Sequence, residues 1–144
     1  MPYIRMCGHF VWATKSRKKL LSIENKDLLC EHIREYARSK NIHLLNINGW
    51  HDHLHAIISL SSDQNIATIM NLIKGESSFW ANRNLKLPEK FGWQEEYFAV
   101  SVSQSHLDRV YNYISKQEEH HKLKTFDQEY DEFIKKYGFE NLPK

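Results

Sequence analysis

The sequence predicts an α+β fold of the ferredoxin-like, split βαβ type, in which two helices pack on one face of an antiparallel sheet and leave the other face free. Three observations predict it. Four segments are rich in apolar, β-branched and aromatic residues, two segments between them have helical spacing, and an Asn-Gly dipeptide joins the second strand-like segment to the third. The order is therefore β-α-β-β-α-β, followed by further helices at the C-terminal end, one of which bears tyrosines.

The first half of the chain predicts a strand, a helix and a hairpin. Residues 4–14 are apolar, β-branched and aromatic, which favours a strand. Residues 23–40 place apolar side chains at helical spacing, and residues 42–47 form a second strand-like run. Because both residues of Asn48-Gly49 tolerate positive φ, we expect a tight turn there and a return strand over residues 50–60.

The second half predicts another helix, a fourth strand and two C-terminal helices. Residues 65–83 have helical spacing, and residues 97–103 alternate between apolar and polar side chains as a strand does. The Ser-x-x-Asp pattern that begins at Ser105 matches a capping box, so we expect a helix over residues 105–121. A shorter helix over residues 126–137 follows.

Length and composition indicate one folded domain. The chain has 144 residues, of which 41% are apolar and 26% are charged, and we expect a single domain over residues 1–144. A mean hydropathy of −0.64 and the absence of a long uncharged apolar run argue against a membrane span. The first six residues lack the layout of a signal peptide, so we expect a cytoplasmic protein. Cys7 and Cys30 have no CxxC partner, which disfavours a disulfide framework.

Positive charge is concentrated in the first third of the chain. Residues 1–50 hold nine Lys or Arg against four Asp or Glu, although the net charge of the whole chain is only +2. Four of these cations lie close together after the first strand, at Lys15, Arg17, Lys18 and Lys19. Such a cluster either binds phosphate groups or is a solvated turn, and charge alone does not separate the two.

Two histidines lie two residues apart on the predicted return strand. The apolar positions that alternate from Leu54 to Leu60 mark the core face of that strand, so His53 and His55 share the opposite face. Their backbones are about 7 Å apart, a spacing at which both imidazoles can reach one divalent ion. Nine histidines in the chain make a chance pair common, so a merely hydrogen-bonded pair remains an alternative.

The third predicted helix carries a tyrosine and a glutamine four residues apart. At about 100° per residue, the apolar stripe from Leu107 to Ile114 includes Tyr111, which we expect to be a core tyrosine. Tyr113 and Gln117 fall on the flank of this stripe and are neighbours. Tyr113 is then either an amphipathic boundary residue or a reactive hydroxyl beside a neutral oxygen ligand.

These motifs together resemble those of the single-tyrosine HUH transposases, the small enzymes of insertion sequences that move as single-stranded DNA, and of their repeat-associated relatives. The resemblance extends along nearly the whole chain. It is carried by His53-Leu54-His55, by Tyr113-x-x-x-Gln117, by residues 9–15, by Lys74-Gly75 and by the run from Phe91 to Ser103.

The resemblance implies a metal site and a nucleophile. It implies Mg²⁺ or Mn²⁺ held by His53, His55 and Gln117, with Tyr113 attacking a phosphodiester to give a 5′-phosphotyrosine link and a free 3′ hydroxyl. It also implies single-stranded DNA with hairpin ends as the substrate, and a homodimer. Two imidazoles and an amide add no negative charge, so the ion would keep its attraction for a phosphodiester.

Other residues compete for these roles. His51, His120 and His121 are alternative ligands, and Tyr111 is an alternative nucleophile. A non-catalytic single-stranded nucleic-acid-binding module on the same fold is the second hypothesis, and a metal hydrolase in which Tyr113 is only structural is the third.

Cations and aromatic rings are the expected contacts for single-stranded DNA. The predicted DNA-binding residues are Lys15, Arg17, Lys18, Lys19, Lys74 and Arg83. Trp50 and Trp93 either stack on bases or belong to the core. We expect the acidic residues in the last third of the chain to face solvent or a partner subunit.

Overall fold

The computed structural model describes residues 2–139 and contains a four-stranded antiparallel sheet with the strand order β2-β3-β1-β4. The strands are β1 (Met6–Ala13), β2 (His43–Gly49), β3 (His53–Leu60) and β4 (Phe98–Val102). β3 and β1 lie in the centre of the sheet, and both neighbours of each run antiparallel to it. The predicted α+β fold with an antiparallel sheet is confirmed.

Five α-helices surround this sheet in the part of the chain that the structure describes. They are α1 (Ile23–Ser39), α2 (Ile66–Asn84), α3 (Leu107–Ser115), α4 (Gln117–His120) and α5 (Phe126–Lys136). Within the described residues, none of the helices combines the length and the hydropathy that crossing a membrane requires.

One face of the sheet forms the main core with α1 and α2. The side chains of Leu54, Ala56 and Ile58 are fully buried there, since alternate residues of a strand point to the same face. They pack in one cluster with Ile33 of α1 and Ile73 of α2. The apolar face of the return strand therefore packs in the core, as its alternating pattern predicts.

The opposite face is covered rather than free. Val11 and Phe98 of the sheet pack against Phe126 and Phe133 of α5 in a second apolar cluster. Covering by the C-terminal helices buries His53 and His55, which are both 0% exposed. The expectation that this face is open to solvent is wrong, because α5 has an apolar stripe of its own that must be buried.

The hairpin between β2 and β3 differs from the predicted one. Asn48 and Gly49 are the last residues of β2, and residues 50–52 make the connection, with the backbone N–H of Trp50 donating to the carbonyl oxygen of His53 (3.0 Å). A Cβ on Gly49 would lie 2.1 Å from that oxygen. Glycine is therefore needed here for the close approach of two backbones, not for a positive φ.

The predicted helix over residues 105–121 is interrupted. A 3-10 turn over Gln104–His106 comes before α3, and Lys116 (φ −102°, ψ 23°) separates α3 from α4. The predicted capping box at Ser105 is wrong, because α3 begins after His106 with no side-chain cap. Ser105 instead contacts the His106 ring.

Candidate active site

β3 directs two imidazoles into the space beneath the C-terminal helices. Nε2 of His53 lies 3.1 Å from Oε1 of Gln117, and Nε2 of His55 lies 3.0 Å from Oε1 of Glu129. Nε2 of His53 is also 3.3 Å from the same Glu129 oxygen. The ring nitrogens of the predicted histidine pair therefore converge on the predicted glutamine and on a carboxylate that was not predicted.

The other ring nitrogen of each histidine, Nδ1, contacts a neighbouring side chain. Nδ1 of His53 lies 2.8 Å from Oδ1 of Asp52, and Nδ1 of His55 lies 2.9 Å from Nε2 of His9. Such outer contacts set the tautomer and orientation of a metal-binding imidazole. Burial lowers the pKa of His9 to about 3 and that of His55 to about 4. Both rings are therefore neutral, and because Nε2–H of His55 donates to Glu129, Nδ1 of His55 accepts a hydrogen bond from Nε2–H of His9.

The charge of His53 is controlled by its two carboxylate neighbours. Burial disfavours the charged imidazolium, but the hydrogen bonds to Asp52 and Glu129 outweigh that effect and raise the pKa of His53. Asp52 and Glu129 therefore both favour the protonated form of His53.

Tyr113 faces the histidine pair and Tyr111 does not. The Tyr113 hydroxyl donates to Oε2 of Glu129, and its ring centroid is 5.8 Å from that of His55. Tyr111 is 44% exposed, so the prediction that it is the core tyrosine is wrong. Helical spacing defines which residues share a stripe, but the packing of α3 against β2 decides which side of the stripe meets the sheet.

The break between α3 and α4 is held by what we call the Lys26 clamp, formed by Lys26, Asn48 and Glu118. Nδ2 of Asn48 donates to the carbonyl oxygens of Ile114 (3.0 Å) and Ser115 (3.3 Å) at the end of α3. Nζ of Lys26 donates to Oδ1 of Asn48 (2.8 Å) and to Oε1 of Glu118 (2.9 Å). The clamp satisfies carbonyls that a helix end leaves without partners.

The clamp decides where Gln117 lies. Gln117 is the first residue of α4, directly before Glu118, and its side chain is 0% exposed. Nε2 of Gln117 donates to Oε2 of Glu129 (3.3 Å), so its Oε1 is left to face His53. The predicted neighbours Tyr113 and Gln117 thus both reach the histidine pair, although they belong to separate helices.

Glu129 is the main residue that sequence reasoning missed. α5 begins at a capping box formed by Thr125 and Gln128, and it places Glu129 beneath the sheet with 1% exposure. The expectation that acidic residues of this region face solvent or a partner is wrong for Glu129. Its position between Phe126 and Phe133 at helical spacing, in an apolar stripe, is the signal that could have identified it.

The Glu129 carboxylate is surrounded by polar side chains. Beyond His53, His55, Gln117 and Tyr113, it contacts His121 (3.2 Å) and His120 (3.3 Å). Burial opposes ionisation, but His55 and the hydrogen bonds from His121, His53 and His55 hold the pKa of Glu129 far below its usual range. The site thus contains a buried carboxylate that is ionised at neutral pH.

Of the competing histidines, two lie in the site and one points away. His120 and His121 reach Glu129, whereas Nδ1 of His51 lies 2.6 Å from the carbonyl oxygen of Leu21. The contact to Leu21 occupies that nitrogen of His51 and directs the ring toward the connection before α1.

The donor set fits a divalent ion. One ligand atom from each of His53, His55 and Glu129 can be chosen so that all of them lie within 4.8 Å of one another. Imidazole nitrogens are common ligands of first-row transition metals, and carboxylate and amide oxygens are ligands of Mg²⁺ and Mn²⁺, so the mixed set fits a divalent cation. The residues present therefore match the kind of cation that the resemblance implies.

The cations after β1 lie at the surface, where Arg17 contacts α5 and the lysines border the loop over residues 89–92. Arg17 forms an ion pair with Asp127, and its guanidinium lies 4.8 Å from the centre of the Tyr130 ring. Lys15 and Lys18 line an open pocket of about 480 Å³, and Lys18 pairs with Glu89 (2.9 Å). Lys19 is exposed beside them.

The other predicted DNA contacts lie on α2, on the opposite side of the sheet. Nζ of Lys74 donates to the carbonyl oxygen of Glu95 (2.8 Å), and the Arg83 guanidinium lies 5.3 Å from the Phe79 ring centre. The structure thus separates Lys74 and Arg83 from the histidine pair by the thickness of the sheet.

The two tryptophans have different surroundings. Trp93 packs against the main core, and its indole N–H donates to Oγ of Ser77 (2.9 Å). Trp50 is half-buried, with its ring 6.3 Å from that of His121 and roughly parallel to it. Trp93 therefore belongs to the core, and Trp50 lies at the rim of the histidine cluster.

Comparison with known proteins extends the sequence resemblance. Residues 3–117 match the family described as "Transposase IS200 like". The ISDra2 transposase TnpA of Deinococcus radiodurans is 27% identical over 114 residues, which cover 76% of this chain and 81% of the relative. The transposase for insertion sequence element IS200 of Salmonella typhimurium is 25% identical over 126 residues, covering 80% and 78%.

Solved structures share the fold. A crystal structure described as a transposase from Deinococcus radiodurans R1 aligns with a TM-score of 0.63 and 26% identity, over 81% of this chain and 93% of the other. A REP-associated tyrosine transposase bound to a REP hairpin also aligns with a TM-score of 0.63, over 84% and 72%, and its 16% identity supports the fold alone. Because the family match runs from before β1 to Gln117 and covers most of the chain, this protein belongs to the family of IS200-like transposases.

Proposed function

We propose that this transposase cleaves and rejoins single-stranded DNA through Tyr113. The hydroxyl oxygen attacks a phosphodiester, the Tyr113 Oη–P bond forms, and the P–O3′ bond breaks to leave a free 3′ hydroxyl and a 5′-phosphotyrosine link. The observation that supports it is the contact of the Tyr113 hydroxyl with the same carboxylate that binds Nε2 of both His53 and His55.

The phosphotyrosine link preserves the energy of the broken bond. A 3′ hydroxyl can therefore attack the phosphorus in the reverse direction and release Tyr113 without ATP. Cleavage and joining are then one reaction that runs both ways, as the movement of a DNA segment requires.

We infer that His53, His55 and Gln117 hold Mg²⁺ or Mn²⁺. Such an ion, when bound, stabilises the negative charge that develops on the phosphate oxygens during attack. The chain directs Nε2 of both imidazoles and Oε1 of Gln117 toward the same space. Asp52 and His9 orient the two rings by contacting their Nδ1 atoms.

Tyr113 is protonated before the reaction. Burial, together with the negative charge of Glu129, raises the pKa of Tyr113 above its ordinary value. Its proton points at Oε2 of Glu129, which is the atom placed to take it as the Oη–P bond forms. Removing that proton at the moment of attack avoids the need for a free phenolate.

We propose single-stranded DNA with hairpin ends as the substrate, supported by the REP hairpin bound to one structural neighbour. Exposed lysines after β1 provide positive charge at the surface beside the loop over residues 89–92. Lys15, Lys18 and Lys19 are the first candidates for phosphate contacts, with Arg17, Lys74 and Arg83 as further ones.

We further propose a cytoplasmic homodimer whose single domain comprises residues 1–144. The predicted ends of this domain, Met1 and residues 140–144, lie outside the described residues.

Labelled single-stranded oligonucleotides, mixed with the protein and Mn²⁺ and run on a denaturing gel, test the reaction. We expect a covalent adduct that EDTA prevents, that Tyr113→Phe abolishes without loss of DNA binding, and that the control Tyr111→Phe retains. An adduct formed by Tyr113→Phe would contradict the assignment of the nucleophile. Cleavage with a free 5′ phosphate would indicate a hydrolase, and binding that is indifferent to chelator with no cleavage would indicate a non-catalytic module.

A further inference from the structure

Glu129 lies outside the segment that matches the family but at the centre of the candidate site. The match ends at Gln117, whereas Glu129 belongs to α5. Burying an ionised carboxylate is strongly unfavourable unless charges and hydrogen bonds compensate it. The chain nevertheless buries the Glu129 carboxylate here and surrounds it with imidazole nitrogens of His53, His55 and His121.

The spacing of the atoms around Glu129 is that of neighbouring metal ligands. Oε1 of Glu129 lies 3.0 Å from Nε2 of His55 and 3.3 Å from Nε2 of His53, which is itself 3.1 Å from Oε1 of Gln117. In an octahedral complex with bonds of about 2.1 Å, adjacent ligand atoms are about 3 Å apart. The site thus has the ligand spacing that a six-coordinate ion needs before any ion binds.

We propose that Glu129 is a fourth protein ligand of the divalent ion, binding through Oε1 beside His53, His55 and Gln117. This inference rests on the proposed function for the presence of the ion, but not for the role of Tyr113. The carboxylate adds the one negative charge among these ligands, and about two of six coordination positions remain for substrate or water. Its second oxygen holds the Tyr113 hydroxyl, so α5 links the ion to the nucleophile.

Two contacts hold α5 in the position that this role needs. Asp127 pairs with Arg17 of the 3-10 turn that follows β1, and Phe126 stacks on the ring of His53, with centroids 4.0 Å apart. Both contacts lie within three residues of Glu129 and tie the first turn of α5 to the sheet. These contacts place the first turn of α5, and with it Glu129, against the histidine pair.

Mn²⁺ binding to purified Glu129→Gln, followed by calorimetry and by the electron paramagnetic resonance signal of free Mn²⁺, tests the proposal without DNA. Glutamine keeps the size of the side chain and removes its charge. We expect the affinity for Mn²⁺ to fall about tenfold or more, since even the outer partners of metal ligands change affinity about 10–100-fold. Glu132→Gln, on the same helix but exposed and paired with Lys124, is the matched control and should bind as the wild type does.

Unchanged or tighter Mn²⁺ binding by Glu129→Gln would overturn the proposal, as would a wild-type protein that binds no Mn²⁺. If Glu129→Gln does not fold, as judged by circular dichroism, Glu129→Asp replaces it, because a shorter carboxylate cannot reach the same point. A comparable loss of affinity then supports the proposal, and an unchanged affinity overturns it. A wild-type protein that binds Mn²⁺ through Glu129 but forms no DNA adduct would refute the proposed function alone.

Discussion

Nζ of Lys26 lies 2.8 Å from Oδ1 of Asn48, and the Lys26 side chain is only 2% exposed. A buried ammonium is thus used to orient a neutral amide, whose Nδ2 is directed at the last carbonyls of α3. Through this contact, α1 and β2 together determine where the helix that carries Tyr113 ends.

The Lys26 clamp predicts that Asn48→Asp slows adduct formation about tenfold or more. Aspartate keeps the acceptor for Lys26 but loses the donor to α3, and a displacement of about 1 Å can slow a reaction about 100-fold. The measurement is the rate of adduct formation at saturating DNA. Asn82→Asp is the matched control, because Asn82 binds the backbone of Phe91 on the opposite side of the sheet. An Asn48→Asp variant with the wild-type rate would show that the clamp does not position Tyr113.

Asp52 is expected to control metal affinity through His53. Because Oδ1 of Asp52 holds Nδ1 of the ring, Asp52→Asn should weaken Mn²⁺ binding about 10–100-fold while the fold is retained. Calorimetric titration measures the change. Asp63→Asn, an exposed aspartate that binds Ser61, should leave the affinity unaltered, and equal losses in both variants would refute the role of Asp52.

The lysines after β1 are expected to contribute to DNA affinity through phosphate contacts. Each contact to a single strand contributes about 0.7 to the slope of log affinity against log salt, so a Lys15→Gln/Lys18→Gln double variant should reduce the slope by about 1.4. Fluorescence anisotropy at several salt concentrations gives this slope. Lys40→Gln, at the far end of α1, serves as the control, and an unchanged slope in the double variant would remove these lysines from the interface.

Two glycine substitutions are expected to have opposite effects on the free energy of unfolding. Gly49→Ala places a Cβ 2.1 Å from the carbonyl oxygen of His53 and should destabilise the fold by about 1–3 kcal/mol. Gly75→Ala, within α2 and with nothing within 4 Å of the new Cβ, should stabilise it by about 0.5–1 kcal/mol. Urea denaturation measures both. Stabilisation by Gly49→Ala would contradict the close approach at the end of β2.

The strand pattern predicted correctly on which face of the sheet the histidine pair lies. Alternation along residues 50–60 places His53 and His55 on the face opposite Leu54, and the structure has them there because side chains of a strand alternate whatever covers the sheet. The spacing of Tyr113 and Gln117 likewise predicts that they are neighbours. These relationships are local, because the backbone dihedral angles of a single strand or helix determine them.

The rest of the site depends on residues far apart along the chain. The break at Lys116 follows from Asn48, nearly 70 residues earlier, because a side-chain amide binds the end of α3. Glu129 is buried because α5 covers the sheet, and its charge is accepted only where several imidazoles meet. A local sequence pattern therefore does not predict such a contact, because its free energy depends on residues that are distant along the chain.

The sequence by itself determined the order of strands and helices, the shared face of the histidine pair and the residues that resemble a single-tyrosine transposase, since these follow from periodicity and from short motifs. Only the tertiary structure decided that Tyr113 rather than Tyr111 faces the sheet, that Gln117 begins a new helix, and that Glu129 enters the cluster. The physical reason is that the burial of a side chain and the compensation of its charge depend on every helix and strand that packs around it. These contacts exist only once the chain has folded.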